Sequence, residues 1–287
     1  MKLALGTAQF GLHYGVANTQ GKVGHSSARE IITYCRSKGI RTLDTAIAYG
    51  ESEQCLGDIG VGGFDIVTKL PSLPDGTSNI EGWVIKEVTS SISRLDVKSL
   101  DGLLLHRPEQ LLGRNGGPIV AALIKLKDAG IIRKFGVSVY SPEELPSLFS
   151  VHDFDLVQCP FNLVDRRLVS SGWLEKLNSL GVEVHVRSSF LQGLLLMPRG
   201  KIPQYFWDWD LLWDRWYEWL NDHNVSPIDA CLAYVFAESN VDKVIVGVDS
   251  KIQLKQIVAF HDAPLSLDFP DISSQDARLL NPSNWKI

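Results

Sequence analysis

The sequence predicts a parallel (β/α)8 barrel, the TIM-barrel architecture, on three observations. Short β-rich apolar runs alternate with longer segments of helical period from one end of the chain to the other. There are eight such runs, the number of βα units that closes naturally through right-handed crossovers. None is followed by the GxGxxG turn that a dinucleotide-binding open sheet, the main competing fold, carries. A length of 287 residues fits one barrel of about 250 residues with decoration. No Pro/Gly/Ser-rich linker divides the chain, so residues 1–287 are expected to form a single domain.

The expected strands are "KLALGT" (2–7), "IRTLDTA" (40–46), "FDIVTKL" (64–70), "LDGLLLHR" (100–107), "KFGVSV" (134–139), "FDLVQCPF" (154–161), "VEVHVRSS" (182–189) and "DKVIVGV" (242–248). Between the first two lies "SSAREIITYCRSKG" (26–39), where Ser26 or Ser27 suits the N-cap and Gly39 the C-terminal stop. "SPEELPSLF" (141–149) and "SPIDACLAYVFAES" (226–239) each begin with a capping serine followed by proline, a good first helical residue. The least regular part is an insertion at 196–225, a long loop leading into a tryptophan-rich helix. Its place after the seventh strand puts it at the rim where barrels carry their chemistry.

With 45% hydrophobic and 21% charged residues, the composition is that of a folded soluble chain. A net charge of -5 and the lack of a Lys/Arg-rich run argue against a nucleic-acid partner. The start "MKLALGTAQFG" has an apolar run too short for a secretory signal, and no stretch approaches the roughly eighteen apolar residues of a membrane span. A cytoplasmic protein with no membrane partner is expected. Cys35, Cys55, Cys159 and Cys231 are far apart with no CxxC pair, and are read as reduced, mostly buried residues, neither a disulfide framework nor a metal site. The oligomeric state is not legible.

In such a barrel the chemistry gathers at the carboxyl ends of the strands. Three consecutive strands end in ionisable side chains: Asp44 on the second, Lys69 on the third and His106 on the fourth, with Tyr49 in the loop after Asp44. Desolvated charges require partners, so Lys69 is expected to pair with Asp44. Lys69 beside Tyr49 would then draw the phenol's pKa below about 10 and make it a proton donor near neutral pH. A neutral His106 would donate a hydrogen bond to the same carbonyl oxygen. The chemistry indicated is reduction of an aldehyde or ketone.

The motifs "LDTAIAYG", "VTKL" and "LLHRP", in this order, resemble those of the aldo-keto reductase superfamily, and the likeness runs from "LGTAQFG" (5–11) to "VIVGVDSKIQLKQI" (244–257). The resemblance implies a barrel that binds a nicotinamide cofactor, NADPH with NADH as the alternative. It implies the catalytic tetrad Asp44, Tyr49, Lys69 and His106. The cofactor contacts it implies are Gly6, Thr7 and Asp44; Ser138 and Gln158 at the carboxamide; Arg187 at the nicotinamide face; Ser188, Leu191, Gln192 and Gly193 at the pyrophosphate; and Gly247, Lys251 and Gln253 after the eighth strand.

Three departures from the family pattern accompany it. Val139 stands in place of an asparagine, and Arg187 in place of an aromatic ring, where its planar guanidinium can stack instead. Asp249, Gln253, Gln256 and Ile257 occupy the segment that usually holds a 2′-phosphate and adenine; a carboxylate there opposes phosphate, with Ser250, Lys251 and Lys255 available to compensate. An NAD(P)H-dependent reductase of a small carbonyl substrate is the leading reading. The competing reading is a nicotinamide-binding sensor or regulatory module with little catalysis, motivated by the altered pocket and the aromatic segment at 205–220. A metal-dependent hydrolase lacks an HxH pair or other clustered ligand set. Arg107, Arg114, His13, Trp207 and Trp209 are possible rim residues, and Arg187 together with the aromatic loop makes an anionic or sugar-like substrate worth testing.

Overall fold

Among the described residues, eight strands pair in sequence order and the eighth returns to the first, closing a barrel. The protein is represented by a computed structural model that describes residues 1–18, 21–262 and 265–286. The strands are β1 (Leu3–Gly6), β2 (Thr42–Asp44), β3 (Asp65–Leu70), β4 (Leu100–Leu105), β5 (Ile132–Ser138), β6 (Leu156–Pro160), β7 (Glu183–Arg187) and β8 (Lys243–Gly247). All pairs are parallel, and Leu3–Gly6 of β1 lies beside Val244–Gly247 of β8.

Every strand falls within its expected run except β5, which begins two residues early. Ile132 is fully buried and pairs with Leu100, so tertiary pairing draws it into the sheet. Gly136 in the same strand has a steric reason: a Cβ there would lie 1.7 Å from the Leu156 carbonyl oxygen.

A helix follows each strand: His25–Ser37, Ser52–Ile59, Ile80–Leu95, Gly116–Asp128, Leu145–Phe149, Trp173–Ser179, Pro227–Ala237 and Lys251–Asp262. The expected caps hold at two of three sites. The Ser226 hydroxyl accepts from the Asp229 amide, and Ser141 forms a capping box with Glu144 around a short 3-10 turn. Ser26 and Ser27 are not caps. The chain enters that helix earlier, through extended Gly24, and both serines fall in its first turn.

The outer faces of the strands and the inner faces of the helices form one large apolar core. Inside the barrel, Val67, Leu104 and Leu156 make a small layer of their own. The insertion builds a satellite core: 3-10 turns lead into the helix Asp210–His223, whose Trp213 and Trp216 are fully buried against Leu195, Phe206, Leu279 and Leu280. Trp207 is 53% exposed, Trp209 packs on Tyr205 and Phe206 against the satellite core, and neither lines the main cleft. Among the described residues no helix is long and apolar enough to cross a membrane. All four cysteines are free, three of them buried.

Candidate active site

Three strand ends deliver the central group. Asp44 closes β2, Lys69 is the penultimate residue of β3, and His106 follows β4 directly. The Lys69 ammonium donates to Asp44 Oδ1 at 2.6 Å and to the Thr45 carbonyl at 2.8 Å, with both side chains buried. The other carboxylate oxygen, Oδ2, accepts from Gln158 Nε2 at 2.7 Å, and Ser138 Oγ donates to Gln158 Oε1 at 3.2 Å. Each member of this buried pair therefore has a further hydrogen-bond partner, Thr45 for Lys69 and Gln158 for Asp44.

Tyr49 reaches the same place because the loop after β2 folds back on itself. Its amide donates to Ala46, and its carbonyl receives the Ser52 amide as the next helix begins. Gly11 allows this approach, since a Cβ there would sit 1.7 Å from the Tyr49 carbonyl oxygen. The Tyr49 ring meets His106 edge-on, with centroids 5.8 Å apart, and the Lys69 ammonium lies 5.0 Å from the Tyr49 ring centre.

Burial sets the proton affinities. It draws His106 down to about 4, helped by the charges of Lys69 and Arg187, so the imidazole is neutral at physiological pH. Burial also draws Lys69 downward against the pull of Asp44. Tyr49 corrects the expectation from sequence. Burial, then the Asp44 charge, push its phenol above its ordinary value. The Lys69 ammonium, paired with Asp44, faces the ring. Tyr49 is a phenol that keeps its proton.

From this group a cleft of about 370 Å³ runs along the ends of β1, β7 and β8. Its wall includes Gly6, Thr7, Asp44, Tyr49, Arg187, Ser188, Gln192, Gly193, Gly247 and Gln253, all expected there from sequence. Four other expected contacts are not on it. Ser138 and Gln158 are buried and bound to each other behind Asp44. The fully buried Leu191 side chain turns into the satellite core, and Lys251 begins the last barrel helix outside the lining.

Ser189, Tyr14, Gln9 and Asn18 line the cleft without having been singled out in the sequence. Ser189 Oγ is buried and has no hydrogen-bond partner. Burial pushes the Tyr14 phenol up to about 12, and the neighbouring Tyr49 adds to the effect. Ser188, Leu191 and Gln192 adopt φ of 64°, 47° and 54°, and Gly193 follows at 90°. Left-handed backbone at three non-glycine residues is costly, and this type of turn forms a concavity suited to anionic oxygens. Periodicity could not have marked Ser189, because this turn brings two consecutive serines, Ser188 and Ser189, onto the cleft.

The loop after β1 crosses over. The Val16 amide donates to the Gln192 carbonyl, and Ala17 packs so close that a Cβ on Gly193 would lie 2.7 Å from it. Beyond β8, the Asp249 carboxylate accepts from Asn18 at 3.5 Å, while the Asp249 amide donates to Gln253 Oε1 at 2.7 Å. The left-handed turn and the buried Ser189 hydroxyl give this cleft groups that could hold an anionic ligand.

The family model of the Aldo/keto reductase family matches residues 2–272. The chain belongs to that family. The aldo-keto reductase YhdN of Bacillus subtilis is 29% identical over 165 residues, covering 53% of this chain and 48% of YhdN. The uncharacterized oxidoreductase YqkF of the same organism is 26% identical over 251 residues, 80% of this chain and 81% of YqkF. The match to YhdN thus spans about half of that relative's length. Among solved structures, aldo-keto reductase AKR11C1 from Bacillus halodurans in its holo form superposes with a TM-score of 0.71 at 25% identity, covering 92% of this chain and 88% of that one.

As a member of the aldo/keto reductase family, the chain is an oxidoreductase on an eight-stranded barrel. Its half-buried Arg187 has no ion-pair partner among the described residues. It donates to the Val139 carbonyl at 3.0 Å and to Ser188 Oγ at 3.2 Å, and lies 4.9 Å from the centre of the Tyr140 ring. Among the described residues no cluster of three or more His, Cys, Asp or Glu could hold a metal ion.

Proposed function

We propose that this protein reduces the carbonyl of a small aldehyde or ketone with a reduced nicotinamide dinucleotide. The observation that carries the reading is a neutral phenol and a neutral imidazole, Tyr49 and His106, beside a buried Asp44–Lys69 pair at one end of an elongated cleft. A reduced nicotinamide held in the cleft would supply a hydride for the carbonyl carbon. Tyr49 holds the proton that the oxygen takes up as negative charge develops on it. Neutral His106 donates a hydrogen bond to the same oxygen and orients it. Asp44 and Thr45 fix Lys69 beneath the phenol, and Gln158 fixes Asp44.

The resemblance to the family implies NADPH, but the cleft favours NADH. Its charged lining residues are Asp44, Arg187 and Asp249, and the only cation among them belongs to the β7 end. Asp249 lies beyond β8, two strands around the barrel from β2, where its carboxylate opposes a 2′-phosphate and can accept from a ribose hydroxyl.

The test follows absorbance of the reduced nicotinamide over a panel of aldehydes and ketones, for wild type and Tyr49→Phe. Wild-type turnover that Tyr49→Phe abolishes, with dinucleotide binding retained, supports the reading. Undiminished reduction by the variant sinks the role of Tyr49, and binding without turnover in wild type points to a sensor.

A further inference from the structure

The mouth of the site holds more positive charge than the Asp44–Lys69 pair accounts for. Arg107 follows His106 directly, is exposed, and places its guanidinium 5.9 Å from the centre of the Tyr140 ring. Arg187 lies 4.9 Å from that centre. Neither guanidinium has a carboxylate partner among the described residues, and the Arg107 side chain donates no hydrogen bond to the protein. Two acids of this region are already engaged. Asp165 takes Arg167 through both oxygens at 2.8 Å, and Glu144 accepts the Tyr140 and Ser141 amides at 2.8 Å each.

Those same contacts fix the backbone at Tyr140. Glu144 accepts from its amide, and Arg167, itself clamped by Asp165, donates to its carbonyl at 3.1 Å. A ring facing two guanidiniums that have no acid, with one of them next in sequence to His106, is an oxyanion receptor beside the point where the carbonyl would be held.

We propose that the substrate carries, besides its carbonyl, an oxyanion group that Arg107 and Arg187 receive over Tyr140, either a carboxylate or a phosphate. This inference rests on the carbonyl-reductase reading and narrows its substrate class. The guanidinium fork suits both anions, which differ in charge and reach.

Two measurements test it. In the first, kcat/KM is compared for 4-oxobutanoate against butanal and for glyceraldehyde 3-phosphate against glyceraldehyde, in wild type and Arg107→Gln. Wild type is expected to prefer at least one charged member about tenfold, and Arg107→Gln to bring that ratio towards one, chiefly through KM. Whichever pair responds identifies the anion. Equal rates on charged and neutral members in wild type, or a ratio unmoved by the substitution, would overturn the proposal.

The second measurement needs no turnover: succinate and inorganic phosphate are titrated into the protein saturated with oxidised dinucleotide, following heat. Binding that weakens about tenfold in Arg107→Gln supports the receptor even if no carbonyl is reduced, in which case the reductase reading fails alone. Anion binding that is absent, or indifferent to Arg107, removes the receptor while reduction of neutral aldehydes leaves the reductase reading in place.

Discussion

The two ends of the barrel treat charge in opposite ways, and β7 displays both. At its amino end Glu183 accepts from Lys134 and, at 2.7 Å, from His185 Nε2, and Lys134 also reaches Asp101 at 3.5 Å. At its carboxyl end Arg187 has only a backbone carbonyl, a hydroxyl and a ring. At the amino end these charges pair with one another, although His185 Nδ1 is buried there without a hydrogen-bond partner among the described residues. At the carboxyl end the Asp44–Lys69 pair is satisfied, while Arg187, Arg107 and the Ser189 hydroxyl are left open. The difference separates side chains that hold the fold from those available to a ligand.

Substitutions at the two ends should divide the same way. The largest effect is expected from Tyr49→Phe, which should lower kcat by about 10²–10⁴-fold with the melting temperature and dinucleotide binding near wild type. Comparable losses of stability and activity together would mean that Tyr49 belongs with the structural charges.

Acidification probes His106. Its folded pKa of about 4 lies below its ordinary 6.5, so the unfolded chain binds the proton first and stability falls as pH drops between those values. The contribution is about 3 kcal/mol, and His106→Gln should flatten that part of a stability–pH profile measured by urea unfolding.

Glu183→Gln should act at the other end alone. Although burial opposes it, hydrogen bonds from His185 and Lys134 hold Glu183 near pKa 2, below its ordinary 4.5. The stability it confers is present above pH 4.5 and is lost as pH falls towards 2. The variant should cost about 1–3 kcal/mol at neutral pH, with kcat and KM unchanged. A changed KM would show that the two ends are coupled.

The smallest effect is expected at Asp249. Asp249→Ser should improve the KM for NADPH relative to NADH by about tenfold, read from initial rates with each dinucleotide. No change would place the 2′-position away from this carboxylate.

Much of this was legible before any coordinates. The eight strands, their parallel order and the residues at their ends follow from alternating periodicities, because a βα rhythm repeated eight times has few ways to close. Asp44, Lys69 and His106 stood out because ionisable groups rarely end apolar strands without a partner. Three kinds of information were missing. The left-handed turn at Ser188 to Gly193 puts Ser189 on the cleft, and no local propensity announces positive φ at serine, leucine and glutamine. Ser138 and Gln158 are expected as cofactor contacts, and the structure also ties them together and joins Gln158 to Asp44 from across the barrel, a meeting that spacing along the chain does not contain. The Tyr49 phenol depends on a balance between burial and charge that spacing along a chain does not contain.

The sequence by itself determined the barrel, the family and the ionisable residues at its rim, since these follow from periodicity and residue type. Only the tertiary structure decided which charges are paired and which are open. Pairing depends on distances of 2.6 to 3.2 Å between residues far apart in the chain, and that arrangement leaves Arg107 and Arg187 facing Tyr140 without an acid among the described residues.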